Sequence, residues 1–323
     1  MASYTLLKNL YYSLLRLRMV EEKLVEVYKT QIIRTPAHFG IGQEAIATGV
    51  CEALDQNDVV YSHHRCHNHY LAQGGNLYLL FAELLGKADG CSEGRGGSVH
   101  LTDTESGFII SSAILGQTIA VATGSALALK MDKTSGISVS FFGDAALEEG
   151  IFWESLNYAS IHKLPVLYVC ENNGFSTESR PHVRQPAGTS LFGRVKSFNV
   201  KSDLIDGNNV LDVYNAAQSA IQHCRDGKGP VFLECTTYRW LEHVGPYFDH
   251  ELGRTYRNKN EVNEWIKNDP LKIAQERLNE FSKLPDNFFD NLRQSIDKEI
   301  DEEFNKALAS DWPKEKDLLK NVY

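Results

Sequence analysis

The chain has 323 residues, 42% of them hydrophobic, enough to bury one large core or two modest ones. Its net charge of −9 and the lack of a basic stripe argue against nucleic acid as the main partner. Six cysteines (51, 66, 91, 170, 224 and 235) form no CxxC pair, no signal pattern opens the chain and no apolar run approaches a membrane span, so a reduced, cytoplasmic protein is expected.

Residues 5–29 set Leu6, Leu7, Leu10, Leu14, Leu17, Val20, Leu24 and Val27 at helical spacing. This predicts an amphipathic helix that docks on the core or faces a partner subunit. Pro36, Gly40 and Gly42 make 31–45 a loop, with helix resuming at Gln43 and running to about Leu54. His38, inside it, reads by itself as a loop histidine. Asp58–Ser62 reads as a short strand running into HHRCHNHY (63–70), where four histidines and a cysteine invite a zinc site. His63 and His64 are adjacent and no second Cys/His pair stands at structural spacing, so zinc is not expected. Arg65 at a strand end is better explained as a fork onto phosphate oxygens. The Gly-rich stretch 86–100 reads equally as a phosphate loop or a solvated one. Residues 111–130 read as a loop entering a helix in which Ala120, Gly124 and Ala128 permit close packing.

The most informative stretch follows. An apolar, β-branched and aromatic run, Ile137–Phe142, predicts a buried strand ended by Gly143 and Asp144. Helical periodicity runs from Ala145 to His162, and a second strand, Leu164–Cys170, stops at Glu171-Asn172-Asn173-Gly174. Strand, helix, strand makes the two strands parallel, and such sheets bind ligands at the carboxyl ends of their strands. Both polar clusters fall there. The Asp144 carboxylate and the Asn173 amide are hard oxygen donors suited to Mg²⁺, while the N–H groups of Ala145 and Ala146 would open a helix that favours phosphate. A metal beside a phosphate-binding turn means a diphosphate. The plain alternative is an ordinary βα turn, with Asp144 as an N-cap and the asparagines in a loop.

Residues 174–188 form a polar loop, a short strand ends at 204–207, Val210–Cys224 is helical, and 231–240 reads as a further strand. The repetition predicts one doubly wound, mostly parallel α/β domain over 1–270. The segment 240–257 is a long loop rich in titratable groups, of the kind that is often functional. Residues 271–323 read as a charged helical extension, with a helix over Phe288–Ala309.

Gly143-Asp144-Ala145, twenty-six residues and then Asn172-Asn173 resembles the thiamine diphosphate motif, with Ala145 where the family has a third Gly. The surroundings resemble the alpha subunit of 2-oxo acid dehydrogenases (pyruvate, branched-chain and acetoin types). The likeness extends to His38 before Gly-Gln-Glu-Ala, to His64-Arg65 and to Arg-Gly-Gly-Ser (95–98). It implies a thiamine diphosphate-binding fold with that cofactor and Mg²⁺. Asp144, Asn173 and the Phe175 carbonyl would hold the metal, and Gly143, Ala145 and Ala146 would border the diphosphate. His64 and Arg65 would touch the diphosphate as well. The backbones of Ala113 and Leu115 would grip the aminopyrimidine, and the Leu115 side chain would bend the cofactor.

His243 matches a loop histidine beside the thiazolium, although Leu241-Glu242 and Val244 depart from the family pattern, Val244 replacing a Ser. His38 and His243, which ordinarily titrate near neutrality, become the acid–base candidates. The implied reaction decarboxylates a 2-oxo acid, or cleaves acetoin, and passes the acyl group to an acceptor such as a lipoyl-bearing acyltransferase. The implied partner is a beta subunit, in an α₂β₂ assembly, supplying the glutamate that activates the pyrimidine. Two other classes stay open: a carboligase or decarboxylase using the same cofactor without a lipoyl acceptor, and a non-catalytic diphosphate-binding module.

Overall fold

The structure, a computed structural model, describes residues 3–281 and 284–320. In chain order the elements are α1 (Tyr4–Lys29), α2 (Glu44–Cys51), β1 (Val59–Ser62), α3 (His67–Ala72), α4 (Leu77–Leu84), β2 (Phe108–Ser111), α5 (Gln117–Met131) and β3 (Ser138–Gly143). Then come α6 (Gly150–Ile161), β4 (Val166–Asn172), α7 (Pro181–Arg184), α8 (Leu191–Lys196), β5 (Lys201–Asp206), α9 (Val210–Arg225) and β6 (Val231–Thr236). Three helices follow: α10 (Lys259–Lys267), α11 (Pro270–Phe281) and α12 (Phe288–Ala309).

The six strands form one parallel sheet in the order β2-β1-β3-β4-β6-β5. Its central strands are largely apolar because helices cover both faces, and strand alternation divides their side chains between two cores. Val139, Phe141, Leu167, Val169, Val231 and Leu233 point into the core that includes α1, α2 and α9. Phe142, Val166, Tyr168, Cys170 and Phe232 point into the one that includes α5 and α6. Each such side chain contributes about 1.5–3 kcal/mol on burial, so the register of these strands is firmly specified. A one-residue slip would exchange the two sets.

Three expectations shift. The second central strand is Val166–Asn172, two residues later than the apolar run suggests, because Pro165 sits at its edge and Glu171 still pairs with Gly143. The last strand ends at Thr236, and 237–240 already belong to the loop. The four-residue edge strand β2 carries no run long enough to be read from the sequence.

The stripe on α1 is consumed within the chain. Leu10, Tyr11, Leu14, Leu15, Val20 and Leu24 have no exposed surface, and they share one core with Leu278, Ile296 and Ile300 of α11 and α12. Ion pairs Arg16–Glu299 (2.8 Å) and Lys23–Asp301 (2.7 Å) flank that contact. The apolar face of α1 is therefore not the subunit surface the sequence allowed. Among the described residues no helix is long and apolar enough to cross a membrane.

Topology places the site. From β1 the chain crosses to β2 on one side, whereas from β3 it crosses to β4 on the other. The crevice between the carboxyl ends of β1 and β3 is thus a switch point, where open α/β sheets bind ligands. His63-His64-Arg65 leaves one strand there and Gly143-Asp144 the other.

Candidate active site

Beyond β3 the helix expected from Ala145 begins only at Gly150. A 3₁₀ turn, Asp144–Glu148, comes first, with Gly143 extended (φ −80°, ψ 163°) before it. The first amides of such a turn have no partner within it, so Ala145, which lines the crevice, keeps its N–H free of the turn, whereas the i→i+3 pattern pairs the Ala146 N–H with Gly143 O. Ala145 is not among the residues with positive φ. The methyl in place of the family's Gly therefore meets no backbone strain.

Asp144 is 3% exposed, and its Oδ2 accepts a hydrogen bond from Arg184 Nη2 at 2.9 Å. Burial raises its carboxyl above the ordinary value even against the Arg184 charge. The two asparagines part ways where the neighbouring strand stops, Asn172 closing β4 and Asn173 opening the turn after it. Asn172 donates to Glu234 Oε1 at 2.7 Å. Asn173 lines the crevice, donating to Gln43 Oε1 (3.2 Å) and accepting the Phe175 N–H on its Oδ1 (3.1 Å). Gly174 adopts φ +74° between them, a turn that brings Phe175 back alongside the carboxylate side of the cleft.

The end of β1 is held by a cluster the sequence reading did not anticipate. Glu171, 3% exposed, bonds His63 Nε2 at 2.7 Å and His69 Nε2 at 3.2 Å. His63 Nδ1 accepts the Arg65 N–H (3.0 Å), which puts the His63 proton on Nε2 and fixes the turn carrying His64 and Arg65. His69 meets Ser62 Oγ at 2.9 Å and stacks on Phe141. Burial alone would raise Glu171, but the two imidazoles overcome it and hold the carboxyl well below the usual range. A glutamate inside an otherwise apolar strand was the signal available for it.

Arg65 is 4% exposed, and its guanidinium donates only to carbonyl oxygens, Phe39 at 2.6 Å and His243 at 3.4 Å. Burial, aided by Arg239, pushes it down to about 9. A guanidinium so placed is stabilised by an anion. Above it stand His38, His64 and His243, with ring centroids 4.5 to 5.4 Å apart. Both nitrogens of His64 and Nδ1 of His38 are buried without a partner. His243 Nδ1 faces Arg239 Nη1 at 3.2 Å; arginine only donates, so the proton of the neutral ring is on Nε2. Burial first, then the Arg65 charge, pushes His38 down to about 2 and His243 to about 3; burial and His63 push His64 down as well. The expectation that these histidines titrate near neutrality does not hold here: all three are neutral at pH 7. The trio has the reach of a metal site, but two guanidiniums flank it and one of them donates to His243, both of which oppose a cation.

Arg239 also anchors the long loop, donating to Leu241 O, Thr177 O and Tyr256 Oη. Glu242, one of the departures from the family pattern, is 3% exposed and pairs with Arg254 at 3.0 Å. It closes the loop internally, and Gly245 N–H ties the loop to Ala37 O at 3.1 Å beside His38.

The cleft so formed is lined by His64, Arg65, Leu115, Gly143 to Ala146, Asn173, Phe175 and His243. Gln43, His63, Glu171 and Arg239 line it too. His38 touches two of the lining rings, whereas Ala113 is exposed and outside the lining. Leu115 is 48% exposed at the mouth, next to Ile114 at 63%. A buried arginine bonded only to carbonyls, orphaned imidazole nitrogens, the free amide of Ala145 and a carboxylate–amide oxygen pair together suit a diphosphate with a hard divalent cation.

An α/β switch-point site with that donor set defines a diphosphate-cofactor enzyme. The family model of the dehydrogenase E1 component matches residues 12–316, and the chain belongs to that family. It is similar to the alpha subunit of the acetoin:2,6-dichlorophenolindophenol oxidoreductase of Bacillus subtilis, 36% identical over 97% of this chain and 92% of that protein. It is likewise similar to the alpha subunit of the pyruvate dehydrogenase E1 component of Rhizobium meliloti, 36% identical over 90% of this chain and 81% of that protein. The mitochondrial counterpart of Dictyostelium discoideum is 32% identical over 95% of this chain and 80% of its own length. The chain is thus an alpha-type component of a thiamine diphosphate-dependent oxidoreductase.

The neutral imidazoles carry a pH consequence. Below their ordinary value of 6.5 they bind fewer protons in the folded chain than in the unfolded one, so their contribution is complete above that pH and lost as pH falls toward 3. Melting temperature of the cofactor-free protein is expected to fall between pH 7 and pH 5. His38→Phe should flatten that slope; an unchanged slope in the variant would show that His38 does not stay neutral.

Proposed function

We propose that the chain carries the diphosphate half of a thiamine diphosphate site, and with a beta subunit decarboxylates a 2-oxo acid or cleaves acetoin. The acyl group then passes to an acceptor, of which a lipoyl-bearing acyltransferase is one. The observation that carries this reading is the buried Arg65 beside orphaned His64, in a cleft that Asp144 and Asn173 also line. When bound, the cofactor supplies an electron sink for the carbanion released as the carboxylate leaves.

The chain's own groups have separable tasks. Arg65 and His64 bind diphosphate oxygens, and the free amide of Ala145 adds a donor at the turn that Ala146 continues. Asp144 Oδ1, Asn173 Oδ1 and the Phe175 carbonyl would hold Mg²⁺, three hard donors that leave the remaining positions to phosphate and water. Leu115 offers an apolar edge against which the cofactor bends. His38 and His243 stand over Arg65, and His243 presents its Nε2–H as a donor to the reacting group. Burial first and the Arg65 charge second keep both rings neutral, and an anion beside Arg65 offsets the second of these, shifting both upward.

The test is calorimetric titration with thiamine diphosphate and Mg²⁺, followed by turnover on a panel of 2-oxo acids and acetoin. Turnover is measured with an artificial electron acceptor and with a lipoylated acceptor. Saturable, metal-dependent binding and turnover of one substrate class are expected; no binding in the assembled protein refutes the reading, and turnover that ignores the lipoylated acceptor removes the acyltransferase step. His243→Ala is expected to lower turnover by about 10²- to 10⁴-fold while cofactor affinity stays within a few-fold. Wild-type turnover at saturating cofactor would reduce His243 to a loop residue.

A further inference from the structure

Arg184 is the cleft-side charge that no cofactor role absorbs. It closes the short α7, itself opened by Pro181, and its side chain is 12% exposed. Its Nη2 donates to Asp144 Oδ2 at 2.9 Å, while Nη1 lies 3.0 Å from Glu148 Oε1. That second contact is ionic only, since Nη1 has no aligned acceptor although it is buried. One guanidinium therefore spans two carboxylates at the two ends of the 3₁₀ turn, and one of these is the sole anionic donor assigned to the metal. Gln185 Nε2, on Glu148 at 3.0 Å, adds no charge.

Charge counting gives the consequence. Asp144 and Glu148 bring two negative charges to the turn, and Arg184 balances one of them. The other cleft-lining carboxylate, Glu171, is committed to two imidazoles. Arg65 and Arg239 add positive charge to the same cleft. The three arginines thus balance Asp144, Glu148 and Glu171, so a free divalent cation entering alone would meet no net negative charge, whereas a cation arriving with a diphosphate brings the missing negative charge with it.

We infer that Arg184 makes metal binding conditional on the diphosphate: by cancelling one of the two charges of Asp144 and Glu148 it disfavours the free cation and favours the metal–diphosphate complex. This rests on the cofactor reading above and concerns the order of loading. In binding terms, Arg184 is a source of the positive coupling between metal and diphosphate, and that coupling is reciprocal.

The test uses the full-length chain in the assembly in which it purifies, with Mn²⁺ as a spectroscopic probe titrated with and without thiamine diphosphate. The wild type should bind free Mn²⁺ weakly and bind it far more tightly with the cofactor. Arg184→Gln uncovers both carboxylates, so free Mn²⁺ should bind on the order of tenfold tighter or more, the scale at which groups beside a metal ligand act. The coupling between metal and cofactor should shrink by a similar factor. Arg184→Lys keeps the charge and should behave as the wild type does, which separates charge from packing. Melting curves give a second readout: free Mn²⁺ should stabilise Arg184→Gln and leave the wild type unmoved. Unchanged free-metal affinity in a folded Arg184→Gln protein overturns the inference, and so does a coupling factor equal to the wild type's. Failure of the wild type to bind Mn²⁺ even with thiamine diphosphate overturns the cofactor reading itself.

Discussion

Asp144→Ala is expected to abolish metal-dependent binding of thiamine diphosphate while leaving the fold intact. Asp144 stands at the end of β3, 3% exposed, opposite Asn173 at the end of β4. It is the one anionic oxygen donor that the cleft offers a hard cation once Glu171 is held by His63 and His69. Removing one partner of a buried charge pair costs about 2–5 kcal/mol, which is roughly a 30- to several-thousand-fold loss of affinity. The fold tolerates the change for reasons visible in the contacts. Register between β3 and β4 is set by backbone pairing from Ser138 to Gly143, and Asp144 has a single side-chain partner, Arg184. That arginine lies on a short surface segment and can turn toward water. The penalty for stranding it, about 1–3 kcal/mol, is smaller than the roughly 5–15 kcal/mol that holds a domain together. Calorimetry at fixed Mg²⁺, with circular dichroism as the control, checks both halves. Unchanged affinity in a folded variant would falsify the metal assignment, and chelation of Mg²⁺ from the wild type should reproduce the mutant.

The parts of this site that were legible in sequence are those written in strand ends. Apolar runs stopping at Gly143-Asp144 and at Asn172-Asn173 gave both the parallel pair and its ligand-binding edge, because in a buried parallel strand polarity begins where the strand stops. His64-Arg65 was readable for the same reason at the end of β1. Residues that act through tertiary contact left weaker traces. Glu171 looked like the first residue of a polar loop, whereas it is the last buried position of a strand and is bonded to side chains 102 and 108 residues away. Arg184 lay in a loop with nothing to relate it to Asp144, forty residues earlier. Helical periodicity through Ala145 concealed the 3₁₀ turn, since both helix types pack apolar side chains every three or four residues. Burial also reversed an electrostatic expectation. Histidines in a loop ordinarily titrate near neutrality, but enclosure beside two arginines holds His38, His64 and His243 neutral. The amphipathic stripe on α1 left core face and subunit face open, and only its packing on α11 and α12 decides for the core.

The purified chain alone is expected to show no decarboxylase activity, and addition of a beta subunit is expected to restore it. Resemblance to the family implies that a carboxylate must bond the pyrimidine ring for the cofactor to be activated. Among the described residues, the carboxylates lining the cleft are Asp144 and Glu171. The first faces Arg184 and the second is clasped by two imidazoles, so neither is free for a pyrimidine. The described residues form a single parallel sheet, and the chain beyond β6 contributes a loop and helices that pack on α1. They hold no second α/β layer that could present another carboxylate. Instead the mouth of the cleft is apolar and uncovered, with Ile114 at 63% and Leu115 at 48% exposure, and Val121 on α5 at 51%. On α6, Tyr158 and Ile161 are exposed as well, and Gly124 on α5 has open space where a side chain would stand. Such a surface beside a half-walled site suits a second subunit that covers the mouth and supplies the carboxylate. A glutamate substitution in that subunit should then leave diphosphate binding by this chain largely unchanged while abolishing turnover, because the two halves of the site bind opposite ends of the cofactor. Val121→Glu on α5 should weaken assembly, measured by sedimentation, and lower activity in proportion. Full turnover from a preparation containing only this polypeptide, its mass verified, would overturn the split site and direct the search to a carboxylate within residues 1–323.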